Sequence, residues 1–249
     1  MISALSLGRK GSVGFPGKNF YPVLGQPLAS YPMRAALNSR YVNKVYLSTD
    51  CEKLMAIARD LGVEIIERPA YLCTKEALGE HAYLHGYQKI VELNGPQEFI
   101  VILLCNAATV SPELIDQGIE ALRKNPDYDS AVSVSKYNMW SPLRARRINK
   151  EGLLEPFVPF EVFGDPKTLN CDRDSQGDVY FADMGVSIVR PRCLEHLEEG
   201  LLPQKWMGRK IYPLPQEGGC DVDYEFQIAQ TEFWIKKDQA SRRQESLKS

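Results

Sequence analysis

The chain has 249 residues, of which 44% are hydrophobic and 25% charged, and its 30 basic and 32 acidic side chains leave a net charge of −2. Such a composition belongs to a globular protein and excludes a disordered or collagen-like chain. The absence of a basic excess argues against a general nucleic-acid binder.

In chain order, Ile2 to Leu7 reads as a strand that runs into a glycine-rich loop. Pro27 to Asn38 reads as a helix, Asn43 to Ser48 as a strand, and Lys53 to Leu61 as a helix closed by Gly62. Thr49-Asp50 is the expected cap of that helix. Val63 to Ile66 follows as a strand, then Glu76 to Asn94 as a helix stopped by Asn94-Gly95-Pro96. Phe99 to Leu104 is nearly all apolar, the pattern of a parallel strand covered on both faces. Ser111-Pro112-Glu113 caps a helix over Glu113 to Lys124, and Asp129 to Ser135 is a further strand.

The alternation predicts an α/β fold built on a doubly wound, mostly parallel sheet. It breaks over 136–178, which is rich in proline, glycine and charge and too long for a plain loop. That segment is read as an inserted arm or subdomain within a single domain, and as a possible contact between copies. Strands at Val179 to Val189 and Lys210 to Leu214, a short helix at Pro191 to Glu199 and a closing helix over Asp223 to Lys236 complete the set. Phe226, Ile228, Ala229 and Phe233 are its expected packing positions. The polar tail 237–249 is expected to fray.

No apolar run is long enough for a membrane span, and the amino-terminal residues lack the pattern of a signal peptide. Six cysteines without a CxxC pair predict reduced thiols in a cytoplasmic protein.

The strongest chemical signal is GRKGSVGFPGKN, Gly8 to Asn19. It follows the first strand, at the carboxyl edge where open α/β sheets bind ligands. Glycines let backbone N–H groups approach a polyanion, and Arg9 and Lys18 add charge, so a phosphate chain is the expected ligand. A P-loop would need Ser or Thr after Gly17-Lys18, where Asn19 stands, and the three-residue glycine spacing excludes GxGxxG. The second signal is GCDVDYEF, with Asp221 and Asp223 two apart. Alternate residues of an extended stretch point the same way. Two such carboxylates suit Mg2+ bound together with substrate phosphates, and a plain helix cap is the other reading. His81 and His85, four apart on a helix, lack the HExxH pattern and read as a surface or pocket pair.

GRKGSVGFPGKN resembles the signature of the CMP-sugar-acid synthetases, approximately RxGSxGxPGKN, through Arg9, Gly11, Ser12, Gly14, Pro16, Gly17, Lys18 and Asn19. YLSTD at Tyr46 to Asp50, ERPAYL at Glu67 to Leu72 and DVDYEF are similar to later family segments, in the family's order. The resemblance implies a cytidylyltransferase that joins CTP to a 2-keto-3-deoxy sugar acid, sialic-acid-like or octulosonate, and releases pyrophosphate. It implies a nucleotide site of Leu7, Gly8, Arg9, Gly11, Ser12, Lys18 and Asn19, with Arg9, Ser12, Lys18 and Asn19 on the triphosphate. It implies Mg2+ on Asp221 and Asp223, which with Arg9 and Lys18 form the expected catalytic set. Cys105 and Asn106 stand where the family often has glutamine and proline near the sugar, and Asp183 stands near a family asparagine. These are the expected acceptor-side residues. Arg144, in SPLRARRIN with Arg146 and Arg147, could take the acceptor's carboxylate or belong to a solvated or dimer-contact face. A homodimer is implied, with no nucleic-acid or membrane partner. Transfer from another nucleotide or to another acceptor, and a non-catalytic nucleotide binder, stand as alternatives.

Overall fold

The computed structural model describes residues 1–11, 14–172 and 177–246, without the side chains of 243, 245 and 246. The first strand, β1 (Ile2–Leu7), leads through the glycine loop to a small hairpin of β2 (Pro22–Val23) and β3 (Gln26–Pro27). Leu24 and Gly25, both at positive φ, form its turn. This hairpin was not apparent in the sequence, and it takes Pro27 out of the expected helix, so α1 spans Ser30–Leu37. Next come β4 (Lys44–Thr49), α2 (Glu52–Leu61), β5 (Glu64–Glu67), α3 (Gly79–Asn94), β6 (Phe99–Leu104), α4 (Pro112–Lys124) and β7 (Ser130–Lys136). Gly62 closes α2 at φ 72°, and the Ser111 hydroxyl caps α4 by accepting from the Leu114 N–H at 3.1 Å. After β7 the chain forms a second hairpin, β8 (Arg146–Ile148) with β9 (Leu154–Pro156). It then returns through β10 (Tyr180–Val189), α5 (Pro191–Glu195), β11 (Ile211–Gln216) and α6 (Gln227–Ser246).

The chain divides into two compact units, 1–134 with 182–249, and 135–181. The main sheet has seven strands in the order β11-β7-β10-β6-β1-β4-β5. β1 pairs parallel with both β4 and β6, and β4 parallel with β5, whereas β10 runs antiparallel to β6. The sheet is thus mostly parallel, as the alternation predicts. Opposite faces of β1 and β6 feed separate cores. Ile2, Ala4, Val101 and Leu103 pack in the same cluster as Met33, Leu54 and Ile115, while Leu5, Ile100 and Ile102 pack with Tyr83, Tyr87 and Ile90. Because both faces are covered, the period-two signal vanishes and FIVILL reads as one apolar run.

The last helix departs from expectation. Ile228, Thr231 and Ile235 are its buried positions, while Phe226 is 71% and Phe233 60% exposed. Nor does the polar tail fray at Lys237, for α6 continues to Ser246. Arg242 fixes that turn by donating to both Glu113 oxygens, at 2.9 and 2.7 Å, and to Asp238 at 2.8 Å. Among the described residues no helix is long and apolar enough to cross a membrane.

Candidate active site

The chain leaves β1 for β4 on one side, while β6 returns on the other. The crevice beyond the carboxyl ends of β1 and β6 is therefore the switch point where open α/β sheets bind ligands. A cleft of about 450 Å³ opens there, lined by Leu7, Gly8, Arg9, Gly14, Lys18, Asn19, Arg68, Asn106 and Asp223 together with the start of α3.

Close packing fixes the loop after β1. A Cβ on Gly8 would lie 2.6 Å from Leu54 Cδ1 and 2.8 Å from Cys105 Sγ. The Asp50 carboxylate accepts from the Lys10 N–H at 2.7 Å, so Asp50 anchors this loop. Neither Thr49 nor Asp50 caps α2: its N-cap position is Cys51, which makes no side-chain cap hydrogen bond, and Thr49 Oγ1 accepts from the Cys51 N–H at 3.1 Å. Arg9 donates to the Thr74 carbonyl at 2.5 Å. Farther on, a Cβ on Gly14 would meet the Asp223 carbonyl oxygen at 2.8 Å, so only glycine lets the loop lie against the DVD segment. Lys18 then reaches across, its Nζ 2.5 Å from Asp223 Oδ1.

The DVD segment is fastened at each residue. Val222 is fully buried among Val23, Leu28, Ala108, Ile228 and Ile235, which leaves Asp221 and Asp223 flanking it. Asn106 holds it from the end of β6. Its carbonyl accepts from the Val222 N–H at 2.8 Å, and its Nδ2 donates to the Val222 carbonyl at 3.1 Å and to Asp221 Oδ2 at 3.5 Å. Gln227, the first residue of α6, accepts from the N–H groups of Asp223 and Tyr224 at 2.7 and 2.8 Å. Burial, and then the charge of Asp223, push the Asp221 carboxyl above its ordinary value, while Lys18 pulls it down. Two like charges held together, one partly desolvated and already drawing on an ammonium, form a donor set suited to a divalent cation whose remaining ligands are phosphate oxygens and water.

A model of the family described as cytidylyltransferase matches residues 4–150. This chain belongs to that family. An N-acylneuraminate cytidylyltransferase A of Danio rerio is 31% identical over 89% of this chain and 48% of its own length. An N-acylneuraminate cytidylyltransferase of Oncorhynchus mykiss is 25% identical over 92% of this chain and 49% of its own. The chain thus spans about half the length of these curated relatives. Among solved structures, a CMP:2-keto-3-deoxy-manno-octonic acid synthetase complexed with CTP shares the fold, with a TM-score of 0.67 at 14% identity over 95% of this chain and 99% of that one.

In this member of the family the cleft brings together Leu7, Gly8, Arg9, Lys18, Asn19, Asn106 and Asp223, all read from the sequence, with Asp221 beside them. Gly11 is exposed on the same loop, and Ser12 lies outside the described residues. Two expected acceptor residues are placed elsewhere. Cys105 is buried behind β1, 3.5 Å from Ser6 Oγ, and desolvation pushes its thiol up to about 11. Asp183 is buried and accepts from Ser133 Oγ at 2.5 Å, Gly185 N–H at 3.1 Å and Gln216 Nε2 at 2.9 Å. A Cβ on Gly219 would lie 2.1 Å from Asp183 Oδ2, so Asp183 backs the chain that leads to Asp221. Arg144 belongs to the 135–181 unit, where it donates to the Cys171 carbonyl at 2.6 Å.

Sequence reasoning missed Arg68. Only 8% exposed, it donates to the Ser48 hydroxyl and carbonyl at 3.3 and 2.7 Å, and it lines the cleft. Desolvation holds its pKa below the ordinary arginine value. A buried cation whose hydrogen bonds run to a hydroxyl and a carbonyl is poised for an anionic or carbonyl-bearing ligand. Its signal was its place, directly after a strand at the carboxyl edge. Asn19 acquires a further role, since its Oδ1 is buried without a donor and would accept from a ligand hydroxyl or amino group, which a phosphate cannot supply.

Proposed function

We propose that the protein is a magnesium-dependent cytidylyltransferase that transfers CMP from CTP to a 2-keto-3-deoxy sugar acid, a nonulosonate or an octulosonate. The observation that carries this reading is the close contact of the phosphate loop with the DVD segment, through Gly14 against Asp223 and through Lys18. In the reaction a hydroxyl of the acceptor attacks the α-phosphorus, the bond to the bridging oxygen breaks, and pyrophosphate departs with the electron pair. The hydroxyl's proton passes to solvent. Little covalent work falls to the protein, so positioning and charge compensation supply the catalysis. Mg2+, held by Asp221 and Asp223, would supply charge neutralisation at phosphate oxygens and acidify the acceptor hydroxyl. Arg9 and Lys18 offset charge that grows on the pyrophosphate. Arg68 offers donors to the carbonyl edge of the base or to phosphate, and Asn19 accepts from a hydroxyl or amino group.

The reading extends to a homodimer formed through the 135–181 unit, supported by the exposed aliphatic side chains Ile148, Leu154 and Val162. A reducing, cytoplasmic setting is supported by six free cysteines. The test is pyrophosphate release from CTP and Mg2+ with a panel of sugar acids. Asp221→Asn and Asp223→Asn should each lower turnover by about 10²–10³-fold, the usual scale for losing one charge-stabilising group. Full activity in both variants would defeat the reading. Equal turnover of all four nucleotides would shift it to a nucleotidyltransferase of broader donor choice.

A further inference from the structure

Lys18 opens a single 3-10 turn, Lys18–Phe20, beside the loop's contact with Asp223. Its side chain is 12% exposed, whereas that of Asp223 is 55% exposed. The lysine side chain is thus mostly covered, and its ammonium pairs with the more exposed Asp223 carboxylate at 2.5 Å. The loop's other cleft-lining cation, Arg9, is directed away to the Thr74 carbonyl. Lys18 is also the cation whose charge favours the ionised form of Asp221. One ammonium therefore does for both carboxylates what a divalent cation would do.

We propose that Lys18 is an exchangeable counter-ion: in the free protein it occupies the carboxylate that a divalent cation takes in the working complex, and it turns to the nucleotide's phosphates when these arrive. The proposal rests on the reading of Asp221 and Asp223 as the metal's ligands. The physical argument is one of compensation. If a metal alone displaced Lys18 from Asp223, the ammonium would lose its anion and be left beside a dication, a like-charge contact that opposes binding. If a triphosphate enters first, or together with the metal, the ammonium exchanges one anion for another and the carboxylate is released. Metal and nucleotide then assist each other's binding, and by linkage the assistance is reciprocal. The device keeps the site closed to a divalent cation that arrives without its nucleotide.

The test uses Mn2+ as the probe, titrated without nucleotide onto the full chain and followed by the electron paramagnetic resonance of free Mn2+. Lys18→Met keeps the apolar stem and removes the charge. It should tighten Mn2+ binding about tenfold, within the usual range of such couplings. Lys18→Arg keeps a cation and should leave the affinity near that of the parent. Lys18→Gln repeats the first arm with a polar side chain should Lys18→Met prove poorly folded by circular dichroism. Unchanged or weaker Mn2+ binding in folded Lys18→Met or Lys18→Gln protein would overturn the proposal. The control is Asp223→Asn in the Lys18→Met background. Loss of the tightened Mn2+ binding there places the metal on this carboxylate. If Mn2+ binds equally well without Asp221 and Asp223, the metal reading itself fails and the proposal falls with it. If Asp223 is required but Lys18→Met changes nothing, the proposal alone fails.

Discussion

The β1–β6 pair is largely aliphatic and the β8–β9 pair carries one facing aliphatic pair, and their surroundings are opposite. β1 and β6 match six residues each in parallel register, from Ile2 against Phe99 to Leu7 against Leu104, with helices packed on both faces. β8 and β9 match three residues each, and the facing pair Ile148 and Leu154 is 73% exposed at both positions. Hydrophobicity alone therefore does not make a core; helices must also cover both faces of the strands. In the main sheet each large aliphatic side chain withdrawn from water is worth about 1.5–3 kcal/mol. In the β8–β9 hairpin the facing Ile148 and Leu154 stay in water and contribute little to the isolated chain.

The largest effect should come from breaking the covered side of this comparison. A Cβ on Gly118 in α4 would lie 2.4 Å from Ile188 Cδ1 and 2.8 Å from Leu214 Cδ1, both buried. Gly118→Val should cost about 3 kcal/mol, the upper end for overpacking. In a chain of this length that lowers Tm by about 6–12 °C. Leu154→Ser, on the uncovered hairpin, should stay within about 0.5 kcal/mol. Differential scanning fluorimetry at low protein concentration compares the two, and equal losses would erase the distinction.

The same contrast decides what was legible in the sequence. Segments covered on both faces, such as FIVILL, announced themselves as apolar runs, and Ser111-Pro112 and Gly62 marked helix ends by capping chemistry that acts locally. The glycine loop and the DVD pair were legible as segments because their residue types stand out locally, and the fold brings them together through Gly14 and Lys18 against Asp223. What depends on distant contacts was hidden. Asp50 looks like a cap in sequence and is an anchor for Lys10. Cys105 and Asp183 occupy positions expected to meet the acceptor, and both are buried against the fold, Cys105 beside Ser6 and Asp183 beside Ser133 and Gln216. Along α6 the hydrophobic pattern marks Ile228, which is buried, but gives the exposed Phe226 and Phe233 the same weight and leaves out Ile235, which packs in the same cluster as Ile228. Its length was missed because the Arg242 clamp to Glu113 joins residues 129 positions apart.

The next effect in size concerns the buried arginine that lines the cleft. Arg68→Leu removes a desolvated guanidinium that donates to the Ser48 hydroxyl and carbonyl. CTP binding should weaken about tenfold or more, as expected when a charge-assisted contact is lost. Thermal stability should hold or rise, because apolar replacements of buried charges are often neutral or stabilising. Calorimetric titration with CTP and Mg2+ reads the first, and a melting curve the second. Unchanged CTP affinity would remove Arg68 from the nucleotide site. A smaller and purely associative effect is expected on the hairpin. Asp introduced at both Ile148 and Leu154 should shift sedimentation from dimer to monomer and leave the monomer's melting temperature near that of the parent. A dimer that survives both charges would place the contact elsewhere.

The smallest effect has the most definite sign. Burial and the charge of Asp223 hold the Asp221 carboxyl above its ordinary value. A carboxyl whose folded pKa is raised favours the folded state only while protonated, so its ionised form is a cost at neutral pH. Asp221→Asn removes that cost while keeping the shape of the side chain. The variant should therefore melt slightly above the parent at neutral pH. Its advantage should shrink as pH falls through the raised folded value, and vanish below about 3.9, where the parent's carboxyl is protonated in both states. Melting curves across that range provide the check. A variant less stable than the parent at neutral pH would mean that the 3.5 Å contact from Asn106 outweighs the burial of the charge. A more stable variant that releases no pyrophosphate would show why the charge is kept. Asp221 is held at a cost to the fold, and a cation bound there, as proposed, would offset that cost.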